Sequence, residues 1–138
     1  MEYVRITAKH AEDLRLLQTA YKNEIGEDTP SAGNLQALID AVETGRILFY
    51  GCEDAGRLIA CCSVSPVFST FNYGTGGVFE DFYILPEYRH RGIAKELVRF
   101  AFEQSGVSSM TVGCADCDVG MYRALGFTVP LGNLLAFE

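Results

Sequence analysis

The sequence predicts an α/β protein built on a mixed sheet with helices on its faces. Three observations carry this. A β-prone run, an amphipathic helical stretch and a second β-prone run follow one another across residues 78–114, which implies a parallel strand pair joined by a right-handed crossover. Two β-prone runs at 47–53 and 58–64 flank Asp54-Ala55-Gly56, which is turn chemistry, so they form an antiparallel hairpin. No run of apolar residues approaches the length needed to span a bilayer. The expected order is β-α-α-β-β-β-α-β-α-β-β, about seven strands and four helices in one domain over residues 1–138.

Each element has its own signal. Residues 3–7 alternate and contain Tyr3, Val4 and Ile6, a first strand. Thr7 can cap a helix over 8–25, where Leu14, Leu17, Tyr21 and Ile25 recur at helical spacing before Gly26. Pro30 marks a loop. Leu35, Leu38, Ile39 and Val42 form a second apolar face that ends at Gly45. After the hairpin, residues 66–77 hold Pro, Ser, Thr, Asn and three glycines and read as a long connection. A strand follows over 78–85. The next helix, 92–104, places Ile93, Leu97, Val98 and Ala101 on one side. A strand over 109–114 and a short helix over 118–125, stopped by Gly126, come next. Residues 127–129 and 134–137 are expected to be two short closing strands.

Eleven basic and eighteen acidic side chains give a net charge of -7. That balance argues against a non-specific nucleic-acid binder, which needs a basic face. The N-terminus has no basic stretch followed by an apolar run, so no secretory signal is expected. Five cysteines, an odd number, read as reduced thiols of a cytoplasmic protein. Cys114 and Cys117 form a CxxC, but His10 and His90 lie far off in sequence, so no metal is expected.

The basic residues are unevenly spread. Arg89, Arg91, Lys95 and Arg99 cluster with His90 where a strand ends at Pro86 and a helix opens near Gly92. Backbone N–H groups at a helix start lack intrahelical partners, and the dipole is positive there, so this loop is suited to an anion such as a phosphate. A smaller reading, a basic loop with a small-residue helix start, fits the same spacing.

Arg89, Gly92 and Ala94 match the pyrophosphate motif Arg/Gln-x-x-Gly-x-Gly/Ala, and residues 80–98 as a whole resemble the GNAT N-acetyltransferase family. A second match is Met121-Tyr122-Arg123-Ala124-Leu125-Gly126-Phe127, similar to the family's tyrosine helix closed by Gly-Phe. Ala115 stands where the family often has asparagine, and Asp116 or Asp118 is left to do part of that work. The resemblance implies acetyl-CoA lying in a V-shaped opening between the strands at 78–85 and 109–114. The backbone of Phe82, Tyr83 and Ile84 would pair with its pantetheine arm, and the amides of His90, Arg91, Gly92, Ile93 and Ala94, next to Arg89, would hold its pyrophosphate.

The implied reaction is direct acetyl transfer to a primary amine in a ternary complex. Tyr122 matches the family's general acid; its alternative is a helix aromatic packed in the core. Glu80 carries over as a base acting through water, with Asp81 as the alternate. Strand alternation is expected to point these two carboxylates to opposite faces. Phe68 to Tyr73 resembles the small-amine and polyamine branch, and the acidic balance suits a small cationic acceptor. A protein N-terminus or lysine as acceptor, a catalytically silent CoA-binding module, a CxxC metal or thiol-redox protein, and a homodimer are left open.

Overall fold

The computed structural model of the protein describes residues 1–138. Five strands form one sheet in the order β1 (Glu2–Arg5), β2 (Leu48–Asp54), β3 (Arg57–Ser69), β4 (Gly74–Ile84) and β5 (Met110–Val112). The first three pairings are antiparallel, and β4 with β5 is parallel. Helices α1 (Ala11–Glu24) and α2 (Ala32–Glu43) precede β2. Helix α3 (Ile93–Ser105) crosses from β4 to β5, and the short α4 (Val119–Ala124) follows β5. No helix is long and apolar enough to cross a membrane.

Strand periodicity divides the core in two. On β3, Cys62 and Val64 enter a cluster with Phe79, Leu97, Val98 and Ala101 under α3. Cys61 and Leu58 enter the opposite cluster with Leu14, Leu17, Ile39 and Tyr83 under α1 and α2. A sheet apolar on both faces needs helices on both, and the order of elements supplies them.

Two stretches differ from the sequence expectation. Residues 66–77 are not a connection: β3 runs on to Ser69, β4 starts at Gly74, and only residues 70–73 turn between them. Past the Leu48↔Val64 pair β2 has ended, so this part of β3 is an edge on its β2 side. That is where a proline such as Pro66 is tolerated, since its missing N–H is not called on. The glycines there serve close packing: a Cβ on Gly77 would sit 2.5 Å from Val64 Cγ1 and 3.3 Å from Val107 Cγ1. The closing strands at 127–129 and 134–137 do not form, which leaves five strands where about seven were expected. Phe127 instead packs on Phe79 and Tyr122. Leu131, Leu134, Leu135 and Phe137 are exposed. Local β propensity without a partner strand makes no ladder.

Gly77→Ala should lower stability by about 1–3 kcal/mol through overpacking against Val64 and Val107. It should be read as a lower urea midpoint at unchanged slope. Gly76→Ala is the control, since its added carbon meets nothing closer than 3.7 Å; it should stay within about 0.5 kcal/mol of the parent.

Candidate functional site

Strand β4 is paired with β5 only over Gly77↔Met110, Val78↔Thr111 and Phe79↔Val112. β5 then stops, while β4 continues to Ile84. From Glu80 onward the edge of β4 on that side has no strand partner; the Ile84 carbonyl accepts from Arg89 Nε, and the other edge groups are free to pair with an extended ligand. Phe82, Tyr83 and Ile84 lie on this stretch.

The edge leads directly to the loop before α3. Pro86–Tyr88 make one 3-10 turn, and Gly92 caps α3 with φ +83°. An L-residue pays about 1–2 kcal/mol in that left-handed conformation, which glycine avoids. A Cβ at Gly92 would meet no protein atom within 4 Å. The amides of His90 to Lys95 donate to no backbone or side-chain acceptor of the protein. His90 itself has φ +64°. Consecutive unpaired amides at the start of a helix of thirteen residues, with space in front of the capping glycine, form a cradle for an anion.

The basic side chains divide the work. Arg91 lies over the Tyr88 ring at 5.1 Å, and Lys95 is exposed one turn into α3. Arg89, expected among the anion-binding residues, is turned elsewhere. Its Nη2 donates to both carboxylate oxygens of Glu24 at 2.9 Å, and its Nε donates to the Ile84 carbonyl at 2.8 Å. Its guanidinium also lies 5.4 Å from the centre of the Tyr83 ring. Arg89 therefore ties the foot of the loop to α1 and to β4.

Glu80 and Asp81 do not point to opposite faces, contrary to the alternation expected of a regular strand. The β3–β4 register passes from Ser63↔Glu80 to Cys61↔Tyr83, so β4 carries one extra residue, and Asp81 sits in the bulge with φ +54°. Directly paired residues share a face, which puts Glu80 beside Ser63. Ser63 Oγ donates to Asp81 Oδ2 at 2.7 Å, and Gln18 Nε2 on α1 donates to Asp81 Oδ1 at 3.4 Å. Both carboxylates thus face α1. Asp81 is held by two donors, whereas Glu80 is exposed and makes no ion pair or side-chain hydrogen bond.

Tyr122 on α4 stands across the cleft, its ring 6.3 Å from Phe82 and 5.8 Å from Phe127. Its phenol is pushed up to about 12, by burial first and then by Tyr21, Asp118 and Cys114. It keeps its proton throughout the neutral range and can donate a hydrogen bond. Tyr21 on α1 lies between the two halves of the site. Its own pKa is raised by burial first, then by Asp81, Glu27, Glu80 and Cys61. Neither Gln18 nor Tyr21 was singled out as functional from the sequence. The one available signal was Gln18, a polar side chain one turn before Tyr21 beside the apolar Leu14 and Leu17.

Three of the five cysteines are withdrawn from solvent. Cys52, Cys61 and Cys62 are buried, and burial raises the pKa of all three thiols. Cys114 and Cys117 are exposed, and no group of His, Cys, Asp and Glu side chains with metal-ligand geometry occurs. In native protein, a disulfide reagent such as 5,5′-dithiobis(2-nitrobenzoate) should therefore titrate Cys114 and Cys117 rapidly. The other three should react only on unfolding, so rapid labelling of more than two thiols would contradict the packing described.

Residues 45–129 match a family model described as the acetyltransferase (GNAT) domain. No curated protein sequence matches the chain. Among solved structures, the chain is similar to a probable acetyltransferase at 21% identity and TM-score 0.86, covering 100% of this chain and 99% of that one. A predicted acetyltransferase with acetyl-CoA from Clostridium acetobutylicum matches at 14% identity and TM-score 0.79, over 99% and 95% of the two chains. Glucosamine-6-phosphate N-acetyltransferase from Arabidopsis thaliana matches at 15% and 0.75, over 99% and 97%. At these identities the structural likeness speaks for the fold.

Proposed function

The chain belongs to the GNAT acetyltransferase family, and from that premise we propose that it moves an acetyl group from acetyl-CoA to a small cationic primary amine by direct transfer. We take residues 1–138 as one N-acetyltransferase domain working in the cytoplasm, a reading its five free thiols support. The observation that carries the functional reading is the run of unpaired amides from His90 to Lys95 beside the unpaired edge of β4. A pyrophosphate needs such a cradle, and a pantetheine amide needs such an edge. The residues present fit acetyl-CoA on both counts.

Acetyl-CoA supplies the activated acetyl carbon; the protein supplies position and proton handling. The amides of His90 to Ala94, with Arg91 nearby, hold the pyrophosphate, and Gly92 keeps the approach open. The backbone of Phe82 to Ile84, apart from the Ile84 carbonyl that Arg89 holds, aligns the arm. Arg89 serves by fixing the loop against Glu24 and Ile84.

An amine with a lysine-like pKa near 10.4 is only about 0.1% neutral at pH 7.4, roughly 4 kcal/mol uphill. Glu80, exposed and free of partners, takes that proton directly or through water. Asp81, held by Ser63 and Gln18, orients the acceptor side of the site. As the C–N bond forms and the C–S bond breaks, Tyr122 donates its phenolic proton to the departing sulfur. A phenol near 12 is a weak acid beside a thiol, so the phenolate it leaves recovers the second proton, shed by the acylated nitrogen, while the first has already left by Glu80.

The acidic surroundings support a cationic acceptor. Glu27 and Asp28 line the cavity between α1 and α2, and Lys22 pairs with Glu27 at 3.0 Å.

Gly92→Glu should weaken acetyl-CoA binding at least tenfold by calorimetry, about 1.4 kcal/mol. The variant adds a strained φ and a charge that repels the pyrophosphate; unchanged affinity in a folded variant would move the site elsewhere. Tyr122→Phe keeps the ring and removes only the proton. It should bind acetyl-CoA normally and lose about 10²-fold in kcat, with KM little changed. Turnover within twofold of the parent, with chemistry limiting, would make Tyr122 a packing residue.

A further inference from the structure

Helix α1 ends on an acidic residue. Glu24 occupies its last position, where the helix dipole is negative and a carboxylate is unfavourable. Its place is explained by Arg89 instead. Arg89 Nη2 donates to both Glu24 carboxylate oxygens at 2.9 Å, and the two side chains are half-buried. The same guanidinium donates from Nε to the Ile84 carbonyl and lies over the Tyr83 ring.

The loop that follows needs such a hold. His90 adopts φ +64° and Gly92 φ +83°, and the amides of His90 to Lys95 have no acceptor in the chain. A left-handed residue other than glycine persists only where its surroundings fix it. The loop's own backbone bonds stop at Arg89, whose N–H donates to the Pro86 carbonyl at 3.2 Å. Two side chains then reach outside the loop. Tyr88 Oη donates to Asp54 Oδ2 on β2 at 2.6 Å, and Arg89, next to His90, reaches Glu24 on α1.

Two roles for Glu24 carry opposite signs. Were Arg89 only a charge for the anion, Glu24 would mask it, and removing Glu24 would strengthen anion binding. Were Arg89 a tie whose span from Ile84 to Glu24 sets the loop, removing Glu24 would weaken binding although a repelling charge has gone. The contacts favour the tie: the planar fork is committed to Ile84 and Glu24, and its face to Tyr83.

We propose that Glu24 is a positioning residue of the acetyl-donor site: acting through Arg89, it holds the foot of the loop so that the amides of His90 to Lys95 converge on one anion. This rests on the acetyl-CoA reading above and adds to that site a residue of α1.

Acetyl-CoA is titrated by calorimetry into the parent, Glu24→Gln and Glu87→Gln. Glu87 is exposed in the same loop, and its charge, like that of Glu24, acts on Tyr83, but it makes no ion pair. Glu24→Gln should raise Kd about threefold or more, the upper range of an exposed ion pair. Glu87→Gln removes an equal charge and no tie, and should leave Kd unchanged or lower it. Arg89→Lys keeps the charge and loses the span, so it should weaken binding by a similar factor. Adding Glu24→Gln to Arg89→Lys should change Kd by less than about 1.5-fold, because the tie is already cut. In amide NMR spectra of the ligand-free proteins, His90 to Lys95 should shift in Glu24→Gln while β1 and β2 keep their positions, a signature that a general loss of stability would not give.

A Kd for Glu24→Gln equal to or below the parent's, an equal loss in Glu87→Gln, or unmoved loop amides overturns the inference and leaves the acetyl-CoA site standing. So does a further loss when Glu24→Gln is added to Arg89→Lys, since Glu24 then acts by another route. Where Glu24→Gln does not fold, unchanged affinity in Arg89→Lys overturns the inference. A parent protein that takes up no acetyl-CoA overturns the acetyl-CoA reading and the inference with it.

Discussion

Strand β4 has a partner on both sides only as far as Phe79. Past that residue it must remain bound to β3 while giving up β5, and the site depends on that release. The cleft is the gap so opened. The edge offered to an extended ligand is the side of β4 that lost its partner, and α3 begins where that edge runs out. The bulge at Asp81 belongs to the same constraint. An extra residue on β4 increases the local twist and turns Asp81 toward α1. The positive φ this requires is costly for aspartate and is held by Ser63 and Gln18 on its carboxylate.

On the proposed reading, the two halves of the chemistry sit on opposite sides of one strand. Phe82 and Ile84 pack toward the α3 cluster, while Tyr83 packs toward α1 and α2. The anion cradle and Tyr122 are reached from one end of the cleft, and Glu80, Asp81 and the α1–α2 cavity from the face of α1. Tyr21 lies between them, close enough for its charge to act on Tyr122 and for Asp81 and Glu80 to act on it. On that reading a donor of acetyl groups and an acceptor meet at β4 without sharing an entrance.

What could be read from the sequence was whatever is encoded over a short span. The cradle was legible because a strand end, Pro86, Gly92 and an amphipathic helix are all within about twenty residues. The two-faced sheet followed from the order of elements. The bulge was not legible: Asp81 and Phe82 sit inside a β-prone run with no glycine to mark a break in alternation, so both carboxylates were assigned to opposite faces. Arg89 read as a ligand for anions because Glu24, its partner, is sixty-five residues away. The cavity between α1 and α2 is made by the relative placement of the two helices, which no local pattern encodes. The two closing strands were read from propensity alone, and propensity cannot supply the neighbour that a strand requires.

The residue after the capping glycine, Ile93, is buried in the same cluster as Leu97 and Phe79. The cradle is thus the first turn of a core helix, and it cannot loosen without opening the core. Whatever occupies it counts as folding free energy for the entire chain. At a hundred times its dissociation constant, a ligand that binds only the folded state adds about 2.7 kcal/mol of stability. In a cell the supply of the acetyl donor then sets two quantities together, the rate at which the enzyme works and the time for which it escapes unfolding and proteolysis. Starved of its donor, such a protein would be slower and also shorter-lived.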